Sequence, residues 1–214
     1  MNFRNADGKT VATALAETIR QGKDYLSEID GLIGDGDHGV NMNKGFMLFA
    51  DKADGIELDF TESFKLLGRT LAGDIGGSMG PLYGTFFIEM SRKSKGLDRI
   101  DSGTFAEMLE AALSEIKELG GAKAGDKTMI DCLEPAVFGF RAALQNGGDF
   151  KTALTDMKSA AETGRDSTKA LIARIGRASR LGERSRGVPD AGATSCCMIL
   201  CAMADAVEFI LVSD

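Results

Sequence analysis

Apolar residues recur at three- and four-residue spacing along nearly the whole chain, and the pattern predicts helix after helix. Val11, Leu15 and Ile19 form the first stripe. Met42, Phe46, Phe49, Ala50 and Ala53 share one face of a second helix beginning near His38. Phe60, Phe64, Leu67 and Leu71 define a third. Leu82, Phe86 and Met90 continue the period, but Tyr83, Phe87 and Ile88 are apolar too, so that helix is buried on most sides, with Pro81 suited to its first turn. Thr104 and Glu107 have capping-box spacing ahead of Met108, Leu109, Ala112, Leu113 and Ile116. Met129, Ile130, Leu133, Val137, Phe140 and Leu144 make a further stripe, with Pro135 as a kink point. Phe150, Leu154 and Met157, followed by Leu171, Ile172 and Ile175, predict one long helix, and 193–211 predicts the last. No segment reads as a strand. The pattern gives about eight helices joined by glycine-bearing loops, without repeats or a proline-rich linker. A single all-α domain over residues 1–214 is expected, open at one end where the glycine-rich loops gather.

Composition narrows the function. The 214 residues carry a formal net charge of −7, which argues against a general nucleic-acid binder. No apolar run approaches the roughly 20 residues of a spanning helix, so no membrane association is expected. The first residues are polar and lack a signal-peptide core, which predicts a cytoplasmic protein. Cys132, Cys196, Cys197 and Cys201 form no C-x-x-C pair, and His38 is the only histidine, so no zinc site is expected. Neither a P-loop nor a dinucleotide-binding glycine motif is present.

Four loops carry the chemistry. Asp30, Asp35 and Asp37 place three carboxylates within eight residues, among Gly31, Gly34, Gly36 and Gly39. Such carboxylates repel one another unless a hard cation neutralises them, and Mg²⁺ takes oxygen ligands while completing its shell with water and phosphate. Asp37 is placed as the N-cap of the following helix, whose start favours an anion. Gly76-Gly77-Ser78-Met79-Gly80 offers backbone N–H groups at another helix start. Gly120 to Met129 contains Asp126 and Thr128 as caps, and Met129 suits contact with a flat ring. Residues 174–186 hold five arginines in thirteen positions of an acidic chain, fitted to phosphate or to an acidic partner. No nucleophile system is visible; His38 fits a phosphate contact better than a general base.

Together these loops resemble one family. Gly-Asp-Gly-Asp-His-Gly-Val-Asn-Met-Asn at 34–43, the runs 76–87 and 125–129, and the loop 176–195 resemble the nucleotide-binding L subunit of dihydroxyacetone kinases, in order and over almost the whole chain. The resemblance implies a barrel of about eight antiparallel helices with a nucleotide site at one end. It implies two Mg²⁺ ions on Asp30, Asp35 and Asp37, holding the phosphates of ADP or ATP. His38 and Asn41, with Gly39 and Val40, match the phosphate side. Ser78 and Met79 match the loop over the phosphates, Gly120 and Met129 the adenine environment, and Arg177, Asp190 and Gly192 further contacts from the last loop. A separate K subunit would hold the short ketose and supply acid and base, with free ATP or a phosphotransferase-system protein as phosphoryl source. A tetrulose such as erythrulose is an alternative substrate, and a non-catalytic nucleotide-binding regulator is an alternative role. Two departures stand out: Met79 replaces a family serine, and Val188-Pro189-Asp190-Ala191 replaces the usual His-x-Asp-Pro order.

Overall fold

Each apolar stripe folds as a helix, and the computed structural model, which describes residues 1–212, shows what starts and stops each one. The helices are α1 (Lys9–Ile33), α2 (His38–Ala53), α3 (Phe60–Asp74), α4 (Met79–Ser94), α5 (Ser102–Gly120), α6 (Ile130–Gln145), α7 (Phe150–Ser167) and α8 (Ala191–Ile210). Asp59 caps α3 in a reciprocal box with Glu62, and Asp149 caps α7 through the Thr152 N–H at 2.9 Å. The cap of α5 differs from expectation: Asp101 accepts the Thr104 N–H at 2.7 Å, so the helix starts earlier and Thr104 lies inside its first turn.

Three further expectations are corrected. Strands exist, though short: β1 (Asn2–Arg4) pairs antiparallel with β2 (Arg99–Asp101), and Asn2 also bridges to Val212. Three residues are too few for period-two alternation to register. The long helix after Phe150 stops at Ser167. The Ser167 and Thr168 hydroxyls turn back onto the Gly164 and Arg165 carbonyls at 2.7 and 2.6 Å, and a 3-10 turn (Thr168–Ala170) leads into extended Leu171. Leu171, Ile172 and Ile175 therefore belong to an irregular lobe preceding α8. Finally, α8 is long and apolar enough to cross a membrane by length and composition. It is instead the core stave of the bundle, 61% buried over its most apolar window.

Consecutive helices pack side by side, and α8 packs against α1, so the eight form a closed ring. Short connections at 34–37 and 75–78 reverse the chain between neighbours, which makes them antiparallel. Alternation then puts every loop that follows an odd-numbered helix at one end: 34–37, 75–78, 121–129 and 168–190. The opposite end is plugged by aromatic rings. Phe3 of β1 sits between Phe60, Phe105 and Phe150, near the starts of α3, α5 and α7, with centroids 5.5, 6.4 and 6.4 Å away. All four rings are at most 2% exposed.

Because Phe3 seals the base of the ring, Phe3→Ala should lower the unfolding free energy by roughly 3–5 kcal/mol, the usual cost of emptying a buried aromatic site. Chemical denaturation measures this. A loss below about 1 kcal/mol would show that the plug is not a packed part of the core.

Candidate functional site

At the open end the four loops surround a cavity of about 630 Å³, within the usual range for a small-molecule site. Its floor and walls have two characters. One side carries the carboxylates. Asp30 lies in the last turn of α1, Asp35 in the loop, and Asp37 at the start of α2; one oxygen from each falls within 4.8 Å of the others. The loop reaches this shape through two glycines. Gly36 takes φ +76°, a left-handed conformation, and at Gly39 a Cβ would stand 1.9 Å from the Lys23 carbonyl, so α2 can approach α1 only there. Hard oxygen donors this close, unmatched by nitrogen or sulfur ligands, fit Mg²⁺. Arg177 crosses from the 168–190 lobe to pair with Asp35.

Asp37 does occupy the N-cap position of α2, but its side chain makes no cap bond; neither does Ser78 at the start of α4. Among the described residues, the one side-chain acceptor at the α2 start is Asp30, 3.4 Å from the His38 N–H. Two helix starts thus reach the cavity with their first N–H groups almost unclaimed, where anions are favoured. The α6 start differs, because Thr128 Oγ accepts the Ile130 N–H at 3.2 Å. Asp126 serves its own turn through the Lys123 N–H rather than capping α6. Asp131 ties the loop from the other side, accepting from Gly125 and Thr128 at 2.5 and 2.8 Å.

The other side of the cavity is apolar: Leu82, Ile116, Leu119, Ala122, Met129 and Ile130 line it, with Gly120 leaving backbone exposed between them. A flat ring fits such a wall, and a methionine sulfur packs well on it.

Of the residues singled out from the sequence, Asp30, Asp35, Asp37, His38, Asn41, Ser78, Met79, Gly120, Met129, Arg177, Asp190 and Gly192 line this one cavity. Gly39 and Val40 do not: Gly39 is buried against α1, and the Val40 side chain is half-exposed outside. His38 stands at the α2 start on the cavity, where its position suggested a phosphate contact. It is buried, and its Nε2 lies 2.8 Å from Ser195 Oγ, which lies 2.6 Å from the Tyr83 hydroxyl. Burial pushes its pKa down to about 4, against the opposing pull of Asp30, so it meets the cavity as a neutral ring. Tyr83, Ser195 and Lys127 escaped the sequence reading. Tyr83 and Ser195 sit in apolar runs that look like plain core, and Lys127 lies inside a quoted motif whose other members drew the attention.

Asp190 caps α8, accepting the Ala193 N–H at 2.7 Å. It keeps some surface on the cavity, but protein atoms surround it closely enough that burial pushes its carboxyl up to about 7; the cap bond and Lys127 pull it the other way.

An all-α ring with carboxylates, two open helix starts and an apolar wall around one cavity is suited to a metal together with a phosphate-bearing ligand. The comparisons agree on the family. The DAK2 domain matches residues 32–205. The chain is 41% identical to the PEP-dependent dihydroxyacetone kinase 1, ADP-binding subunit DhaL, of Listeria innocua, across 87% of this chain and 89% of the relative. It is 39% identical to the corresponding Escherichia coli subunit DhaL, across 80% of this chain and 82% of that one. The crystal structure of the C. freundii dihydroxyacetone kinase in complex with AMP-PNP and Mg²⁺ superposes with a TM-score of 0.71 at 26% identity, covering 96% of this chain and 34% of that one. The chain belongs to the DAK2-domain family, among its DhaL-type members.

A raised carboxyl pKa has a definite sign in stability. The folded state holds the Asp190 proton more tightly than the unfolded chain does. Its contribution is therefore full below the ordinary value of about 4 and is lost as pH rises through about 7. Asp190→Asn keeps an N-cap acceptor and removes the titration. Relative to the unaltered protein, the variant should gain stability between pH 5 and pH 8. Denaturation midpoints at the two pH values measure it, and an identical difference at both would refute the shifted carboxyl.

Proposed function

We propose that this chain is the nucleotide-binding subunit of a short-ketose kinase, binding ADP or ATP with magnesium and passing a phosphoryl group to dihydroxyacetone held by a partner subunit. The observation that carries the reading is one juxtaposition. The three carboxylates and the uncapped starts of α2 and α4 share a cavity with an apolar wall. The relatives' names, ADP-binding subunits of dihydroxyacetone kinases, and the AMP-PNP and Mg²⁺ complex of the C. freundii enzyme support it.

Asp30, Asp35 and Asp37 are the residues to hold the metal, and we infer a pair of Mg²⁺ ions from the excess of carboxylate oxygens. When bound, magnesium neutralises phosphate charge and orients the transferred group. The N–H groups that open α2 and α4 receive phosphate oxygens. Met129, Leu82, Ile116 and Gly120 provide the wall for the adenine ring. Arg177 brings a permanent positive charge to the mouth. His38, neutral and bonded to Ser195, orients the α2 start without moving a proton.

Among the described residues lining the cavity, the candidate bases are engaged within the chain: His38 is tied to Ser195, Lys127 is turned into backbone carbonyls, and Asp190 accepts the Ala193 N–H as the α8 cap. The ketose and its acid and base groups therefore belong to a K-type partner. This agrees with the chain spanning about a third of the crystallised C. freundii kinase. The phosphoryl source is either free ATP or a phosphotransferase-system protein that recharges bound ADP. The names of the Listeria and Escherichia relatives, both PEP-dependent, favour the second. Four free cysteines fit the reducing cytoplasm.

Two experiments test the assignment. Asp35→Asn and Asp37→Asn each remove a metal ligand without adding bulk, so magnesium-dependent ADP binding should vanish while helicity is retained. Calorimetry and circular dichroism follow the two readouts, and unchanged affinity in both variants would remove the metal role. The isolated chain with Mg-ATP and dihydroxyacetone should yield no product until a K-type subunit is added. Turnover by the chain alone would show that the ketose site is here after all.

A further inference from the structure

The lobe at 171–188 brings Ile175, Gly176, Arg177 and Ala178 to the cavity wall, and no long helix supports it. Most of its internal bonds are local turns, such as the Ser179 and Ser185 hydroxyls on the Gly176 and Gly182 carbonyls at 2.6 Å each. Ala173 N–H bonds to Ser185 Oγ at 2.9 Å, and at the neck the Gly187 N–H meets the Lys169 carbonyl at 2.8 Å and the Asp190 N–H meets Thr168 Oγ at 3.0 Å. Beyond the Arg177–Asp35 pair at its tip, what fastens it to the rest of the ring is the 121–129 loop. The Arg174 N–H takes the Asp126 carbonyl at 3.1 Å. The next residue, Lys127, is 2% exposed. Its Nζ donates to the carbonyls of Thr168 at 2.8 Å, Leu171 at 3.3 Å and Val188 at 2.6 Å. The first two carbonyls lie where the chain enters the lobe and the third where it leaves. An ammonium has three donors and no acceptor, so this one is fully used.

The backbone supports a dedicated role. Lys127 has φ 62°, the one non-glycine residue with positive φ among the described residues. A side chain is strained there, and glycine would relieve it, but glycine has no donors to offer. The fold keeps the strain and gains an inward-pointing ammonium at the point where two ends of a lobe meet.

We propose that Lys127 is a positioning residue for the nucleotide: its ammonium closes the neck of the 171–188 lobe and so holds Arg177 and Asp190 on the cavity wall. The proposal rests on the nucleotide reading above for its consequence, though not for the clamp itself. With the clamp gone, the lobe opens locally while the helical ring stays intact, because no ring-closing helix contact depends on Lys127. Bound nucleotide then loses one wall of its site and leaves faster.

Lys127→Met keeps the stem length and removes every donor. Hydrogen exchange of the nucleotide-free protein should show protection of Ala173, Arg174, Arg186 and Gly187 falling by at least about tenfold, as loss of charged hydrogen bonds implies. Protection in α1 to α5 should be unchanged. ADP should dissociate roughly tenfold faster, while Mg²⁺ affinity measured without nucleotide does not fall, because the three carboxylates stay in place and Asp35 loses only its competing Arg177 partner. Lys127→Gly also lacks the donors but relieves the backbone, and it must show the same pattern; if the methionine variant fails to fold, the glycine variant decides. A lobe as protected as before, or an equal loss through all the helices, would overturn the proposal. If the unaltered protein binds no ADP, the functional reading fails, and the exchange pattern alone still decides whether Lys127 closes the lobe.

Discussion

The ring of helices closes where α8 meets α1, and the site is assembled along that seam. Close approach is written into small residues: at Gly22 of α1 a Cβ would stand 2.0 Å from Met198 Cε of α8. Because α8 also packs on α6 and α7, alanine, serine and cysteine can fill most of its faces without exposing backbone. The same helix supplies Ser195 to His38 and Tyr83, and the Gly192 carbonyl to the Tyr83 hydroxyl at 3.1 Å. A buried polar chain thereby joins α2, α4 and α8 beneath the cavity, and such a chain rigidifies only when every member is satisfied. Ring closure and site geometry are therefore one constraint: if α8 shifts along α1, Ser195 leaves His38 and the α2 start loses its floor.

Opposite charges are arranged side by side at the open end. The last turn of α1 is the negative pole of its dipole, and Asp30 stands in that turn with Asp35 and Asp37 nearby. That combination disfavours further negative charge and attracts a cation. A few residues on, α2 starts with the positive pole of its own dipole. A metal and a phosphate bound here would each meet the pole that suits it, and each would reduce the repulsion the other meets. Arg177, paired with Asp35 in the ligand-free chain, supplies part of that neutralisation in a protein otherwise seven charges negative.

Helix number, the closed core and the carboxylate loop were legible in the sequence because each rests on local spacing. Phe60, Phe64, Leu67 and Leu71 are all fully buried, as their stripe requires. What was hidden depends on long-range partners or on competing local bonds. The stop of α7 lies in the Ser167 and Thr168 hydroxyls, whose preference for turning back is invisible to hydrophobic period. The cap of α5 passed to Asp101 because β2 delivers it there, which spacing alone does not register. The burial of His38 needed a partner 157 positions away. Lys127 looked like a loop lysine, and only the meeting of residues 168, 171 and 188 gives it three acceptors.

Helix starts around the ring are of two kinds, with α8 capped by Asp190 even at the open end, and the difference bears on stability and function. At the closed end, Asp59, Asp101 and Asp149 cap α3, α5 and α7, so those starts are satisfied within the chain. At the open end Asp37 and Ser78 leave α2 and α4 without a side-chain cap. With no cap bond on its side chain, Asp37 keeps both carboxylate oxygens open to a metal, and the α2 start keeps its N–H groups open to an anion. The structure places its satisfied polar groups where the fold must hold without help. It leaves its unsatisfied ones, cationic and anionic preferences together, where a magnesium nucleotide would complete them.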